Sequence, residues 1–192
     1  RQYTAEKLAA RPEEYVAAHD RHCGYRAAFL QRQEDDLVGA GAAAAVAAIK
    51  AEIEDVRAGW RWAVTQGRAK EIERGLPGLS RFYLLVGPFD EGESLIRVAT
   101  ERVRELVDEK GEEGTGAQTL LCTLLGERAR FLNRLGRHEQ AIAAAQEASD
   151  LASQACGLEE AVGLLAVSYL QWGEALMRQA NLEAAHPQLE RA

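Results

Sequence analysis

Proline, aromatic residues and cysteine are all scarce in this chain. It has four prolines, 6% aromatic residues and three cysteines in 192 residues. Few prolines and no runs of β-branched residues leave little to break or compete with helices, and alanine is abundant, so composition favours helix almost throughout. Cys23, Cys122 and Cys156 are odd in number and widely spread, which argues against a disulfide framework and for a reducing, cytoplasmic setting. No apolar run approaches the ~20 residues needed to cross a bilayer, so no membrane association is expected. Neither a signal peptide nor a lipidation motif is visible. Positive charge is also in deficit. The net charge of −7 argues against direct nucleic-acid or anionic-membrane binding by the chain as a whole.

What is present is a repeated turn. Three helical stretches reach a small residue, turn and restart: Tyr83–Phe89 around Gly87, Leu132–His138 around Gly136, and Met177–Leu182 around Ala180. Five residues beyond each small residue comes another (Gly92, Ala141, Ala185), and seven further on come Ala99, Ala148 and Ala192. Small residues at fixed offsets let two helices approach closely where they cross, and a glycine at the turn accepts positive φ without a Cβ penalty. Large apolar residues surround them: Leu125, Leu132, Leu135 and Ile142 in the second unit, Tyr169, Trp172, Leu176 and Leu189 in the third.

This pattern resembles the tetratricopeptide repeat. Tyr169, Trp172, Gly173, Leu176, Ala185 and Ala192 fall on that family's signature positions in the third unit, and Leu125, Ala129, Leu132, Gly136, Ala141 and Ala148 do so in the second. In the first, Ser80 and Tyr83 fit, but Gly92 replaces the usual alanine. The family's terminal proline is absent, with Ser153 in its place in the second unit. The turns lie 49 and 44 positions apart, against about 34 in the family. Two polar linkers, Asp108–Gly116 and Ser153–Glu160, together with longer helices, are expected to hold the surplus. The expectation is an all-α fold, a right-handed α-solenoid of antiparallel helix pairs near 69–108, 117–154 and 159–192, with amino-terminal capping helices.

In the amino-terminal third, Val46, Ile49, Ile53, Val56, Trp60 and Ala63 lie on one stripe of a helix expected over Ala45–Gln66. Lys50, Glu54, Arg57 and Arg61 face away, and Gly67 stops it. Pro12 opens an earlier helix with Tyr15, Ala18, His22, Tyr25 and Phe29 in register, ended by Gly39 and Gly41. Arg1–Gln2–Tyr3 with Glu6–Lys7–Leu8, then Arg21–His22 with Tyr25, then Glu52–Ala63, and later Gly92–Glu93–Ser94–Leu95, resemble a junction in bacterial STAND-class signal-transduction ATPases and related transcriptional regulators. The resemblance implies that residues 1–41 lead out of a preceding winged-helix domain and that residues 42–192 carry the repeats. The opening at Arg1 and the stop within a helix suggest a piece of a longer protein.

Two constellations could carry chemistry. Gly111–Glu112–Glu113–Gly114–Thr115–Gly116–Ala117–Gln118 places glycines before a helix, but Ala117 stands where a phosphate-binding loop needs lysine and Gln118 where it needs a hydroxyl. Glu112 and Glu113 would repel phosphate, so a linker is expected. His19, His22 and Cys23 have a spacing that could gather metal ligands on one helical face. The simpler reading makes His22 a hydrogen-bonded core residue with His19 and Cys23 on the flank. No cofactor, metal or catalytic residue is expected.

A binding surface is expected instead. In the tetratricopeptide class the first helix of each pair lines a concave groove. The resemblance sends Arg74 and Arg81 into it from the first unit, Arg130, Asn133 and Arg134 from the second, and Gln171, Glu174 and Arg178 from the third. Guanidinium groups there could bind carboxylates or phosphates, or simply pair with Glu127 and Glu174. The family's clamp for acidic peptide termini is not reproduced, because Gly126 and Leu170 occupy its polar positions. The expected role is a non-catalytic protein-interaction or signal-sensing module whose partner is a protein, a peptide or an inducer. The alternative is a scaffold or homo-oligomerisation element, the unpaired helix face of the third unit allowing a homodimer.

Overall fold

The computed structural model describes residues 12–110, 115–155 and 158–192, and every regular element among them is helical. Two compact units are present, one ending at Phe82 and one beginning at Tyr83. Outside the described residues lie the Arg1–Leu8 piece, Gly111–Gly114 of the glycine-rich stretch, and Cys156.

In the first unit, α1 spans Pro12–Gln33, a single 3-10 turn covers Asp36–Val38, α2 spans Ala42–Ala51 and α3 spans Ile53–Thr65. The fourth helix, α4 (Ala69–Val86), contains the division between the units. Pro12 starts α1, where its missing N–H costs nothing, and Glu13 and Glu14 sit favourably in the first turn. The expected stripe on α1 is displaced by about a quarter turn. Cys23, Ala27 and Leu30 are buried, while Tyr25 is 58% exposed and Tyr15 also lies at the surface. The cause is close approach. A Cβ at Gly59 of α3 would stand 3.0 Å from Arg26 Cβ, and one at Gly78 of α4 would overlap the Leu30 carbonyl oxygen. Only small or slender side chains of α1 fit there, so the rings of Tyr15 and Tyr25 stay outside.

Two boundaries also differ from expectation. α1 stops at Gln33, ahead of Gly39 and Gly41, and the intervening 3-10 turn buries Leu37. The helix expected over Ala45–Gln66 is two helices meeting at Glu52 (φ −112°, ψ 11°). There the Glu52 N–H donates to the Ile49 carbonyl at 3.1 Å while the Glu52 carbonyl accepts from the Val56 N–H at 2.9 Å. Arg26 Nη1 donates to Glu52 Oε2 at 2.8 Å and holds the break against α1. The apolar stripe runs on across it, with Ile49, Val56, Trp60 and Ala63 all buried. Gly67 ends α3 at φ +62°.

The second unit continues with α5 (Phe89–Lys110), α6 (Thr115–Arg134), α7 (His138–Ala155), α8 (Leu158–Arg178) and α9 (Leu182–Arg191). Each helix packs on the next in the chain, and α6 also meets α8. The repeated turn is a repeated backbone conformation. Gly87, Gly136 and Ala180 have φ of +98°, +72° and +60°. At Gly136 the Arg137 N–H reaches the Leu132 carbonyl and the Gly136 N–H the Asn133 carbonyl; at Ala180 the Asn181 and Ala180 N–H groups reach Leu176 and Met177 in the same way. This is the Schellman closure of a helix C-terminus, found also at Gly67; at Gly87 it is not made, because Pro88 has no N–H and the Gly87 N–H reaches the Tyr83 carbonyl. The small residues that follow are at close crossings: Ala99, Ala141, Ala148 and Ala185 are buried, whereas Ala192 is exposed. Gly92 departs from alanine because a Cβ there would lie 2.5 Å from the Phe131 ring. The long period resides mainly in the helices: α5 covers Asp108–Lys110, α6 begins at Thr115, and α7 and α8 together cover most of Ser153–Glu160.

Candidate functional site

The eight residues expected to line one groove have several different placements. In the first unit, Arg74 Nε donates to Gln31 Oε1 at 2.6 Å, and Arg81 donates to the Glu34 carbonyl at 3.3 Å with the Glu34 carboxylate 3.6 Å away. Both fasten α4 to the end of α1. In the second unit, Asn133 and Gln171 come together but in the interior, only 2% and 5% exposed. Asn133 Nδ2 donates to the Gln171 backbone oxygen at 3.1 Å and to its side-chain oxygen at 3.3 Å. They join α6 to α8 and are not available to line an open surface.

Arg130, Arg134, Glu174 and Arg178 share one open face of the second unit. Two contacts set α6 beside α8 in the same direction, Asn133 against Gln171 and Gly126 against Val167. With about 100° of rotation per residue, Glu127, Arg130 and Arg134 flank the contact line on α6. Leu170, Glu174 and Met177 flank it on the same side of α8. Arg130 bridges Glu127 at 2.8 Å and Arg178 bridges Glu174 at 2.7 Å. Arg134, in the last turn of α6, is exposed and makes no ion pair with the described residues.

Of the apolar part of this face, the sequence placed Leu170 at a groove position but did not point to Val167 or Met177. Val167, Leu170 and Met177 are 42%, 48% and 44% exposed. Leu170 and Met177, with Glu174 and Arg178, line an open depression of about 460 Å³. The available signal was a second apolar stripe on α8, distinct from the one through Trp172 and Leu176. Tyr169 and Trp172 drew attention to the inward side alone.

The histidine cluster of α1 is occupied with packing. His19 stacks on Trp62 at 4.5 Å between centroids and meets Tyr15 at 4.3 Å. Trp62 Nε1 donates to Asp20 Oδ1 at 2.9 Å, and Arg68 binds both oxygens of the same carboxylate. His22 is half-buried and accepts from Arg26 Nε at 3.3 Å; burial, then the Arg26 charge, hold its pKa below the usual value. Cys23 is turned into the core rather than lying on the flank. Burial, reinforced by Glu71 and Asp20, pushes its thiol up to about 11, so it stays protonated and unreactive. Among the described residues no group of three or more His, Cys, Asp or Glu side chains is placed to hold a metal ion. No described helix is long and apolar enough to cross a membrane. Comparison of the chain with family models, curated proteins and solved structures gives no match.

Proposed function

We propose that the chain is a non-catalytic protein-interaction and signal-sensing module, a right-handed solenoid of antiparallel, tetratricopeptide-like helix pairs. In this reading it serves a larger cytoplasmic regulator of the bacterial STAND ATPase or transcriptional-regulator type. The observation that carries the interaction role is the open face of α6 and α8. There, exposed apolar side chains and an exposed arginine that makes no ion pair with the described residues lie on a scaffold closed by recurring turns. Clustered exposed apolar side chains with a polar rim mark interaction sites more often than isolated ones do.

Such a module acts by differential affinity. A partner or inducer that binds one arrangement of the parent protein better than another shifts the balance between them by the ratio of the two affinities. The buried thiols of Cys23 and Cys122, neither joined in a disulfide, fit a reducing compartment. Reading the coding sequence upstream of Arg1 tests the parentage. A nucleotide-binding core followed by a winged helix supports it, whereas further helix pairs or a secretion signal contradict it.

A further inference from the structure

We infer that the face formed by Glu127, Arg130 and Arg134 of α6 with Leu170, Glu174 and Met177 of α8 docks an amphipathic protein segment carrying carboxylates beside apolar side chains. This rests on the interaction-module reading and names the chemistry of its partner. The floor is apolar, because Leu170 and Met177 stand nearly half exposed on the depression beside α8. The charge above that floor is not balanced in height. Glu127 and Glu174 are 17% and 30% exposed, whereas the arginines they pair with, Arg130 and Arg178, are 37% and 44% exposed.

The guanidinium groups are therefore more open to solvent than the carboxylates they pair with, and Arg134 adds a positive charge that has no carboxylate partner among the described residues. An incoming segment meets arginine first. A paired guanidinium keeps N–H donors beyond those its first carboxylate uses, so Arg130 and Arg178 can each take a second acid. A neutral apolar segment would leave Arg134 partly desolvated without compensation, and a basic one would meet like charge. The chain's overall charge of −7 works against an acidic partner, so its recognition needs local positive charge of the kind this face carries.

Fluorescence anisotropy on the intact 192-residue protein tests the assignment with three labelled synthetic helical peptides of equal length. One carries leucines on one face and glutamates on its margins, the second has lysine for glutamate, and the third has serine for leucine. The expected result is saturable binding of the Leu/Glu peptide, weakened about tenfold or more by Arg134→Glu and by Leu170→Asp and weakened by added salt, with both other peptides binding far less. Arg134→Gln should give a smaller loss, and circular dichroism should show all variants equally helical. If the lysine peptide binds as well as the glutamate peptide, or Arg134→Glu leaves affinity unchanged while Leu170→Asp abolishes it, the acidic-partner inference falls and the module reading stands. If no peptide binds and Leu170→Asp converts a dimer to a monomer in light scattering, the face pairs two copies and both readings fall.

Discussion

In the first unit, α1 is tied to its neighbours by arginine: Arg26 reaches Glu52 and Asp55, Arg68 grips Asp20, and Arg74 meets Gln31. In the second unit the helices meet over missing volume. Gly92 lies under Phe131, Gly173 lies under Leu189, and Ala141 and Ala148 are fully buried. Directional charge fixes one particular pairing and does not recur along the chain. Small residues at fixed offsets fix a crossing that any following helix pair can repeat. Each device nevertheless also occurs inside the other unit. Gly78 lets α4 touch the backbone of α1, and Arg128 crosses from α6 to Glu93 of α5.

The ion pair between Arg128 and Glu93, inside the second unit, offers the largest test. Glu93 is 5% exposed and accepts from Arg128 Nε at 2.9 Å. Arg128→Ala leaves a buried carboxylate unpaired and should cost about 3 kcal/mol in urea denaturation, part of which Glu93→Gln should restore. Arg68→Ala in the first unit breaks a more open pair, 43% and 32% exposed, and should cost under about 1 kcal/mol. If the two losses are equal, burial does not separate these bridges.

Gly92→Ala comes next, at about 2 kcal/mol, because the added methyl would lie 2.5 Å from the Phe131 ring and 2.9 Å from Tyr83 Cβ. Phe131→Leu in the same chain should reduce that loss, whereas two simply additive losses would show that the crossing is not set by volume. Ala180→Gly should stabilise the second unit by about 0.5–1 kcal/mol, since alanine holds φ +60° where glycine sits in the matching closures at Gly67 and Gly136. A destabilised Ala180→Gly would mean that left-handed strain at Ala180 is not what limits this turn. The smallest effect belongs to pH. The folded-state pKa of His22 lies below its ordinary 6.5, so its contribution is present above pH 6.5 and is lost as the pH falls below it. The urea midpoint should drop between pH 7.5 and pH 5.5, and drop less in His22→Gln.

The helices and their turns were legible because glycine spacing and apolar periodicity report local geometry. Gly67, Gly87, Gly136 and Ala180 all adopt positive φ. Which stripe of α1 turns inward was not legible. Tyr15, His22, Tyr25 and Phe29 are as regularly spaced as Cys23, Ala27 and Leu30, and only Gly59 and Gly78 on other helices decide between them. The break at Glu52 was hidden for a similar reason, since Arg26 lies 26 residues away in sequence. At the candidate site, Arg130, Arg134, Glu174 and Arg178 were expected to line a groove; Arg134 and Arg178 are exposed and Arg130 and Glu174 half-buried. Asn133 and Gln171 were misplaced because Asn133 Nδ2 donates to Gln171 between α6 and α8, a tertiary pairing with no sequence signature. Leu170 was placed at a groove position, but Val167 and Met177 were overlooked because an apolar residue in a helix is ordinarily assigned to the core.

The most direct test of the docking face is to titrate the Leu/Glu peptide into the 15N-labelled protein and map amide shifts by NMR. The account predicts changes concentrated around Glu127–Arg134 and Leu170–Arg178, with α1, α2 and α3 unmoved. Changes centred on the first unit, or none at peptide concentrations that saturate the anisotropy signal, would contradict it.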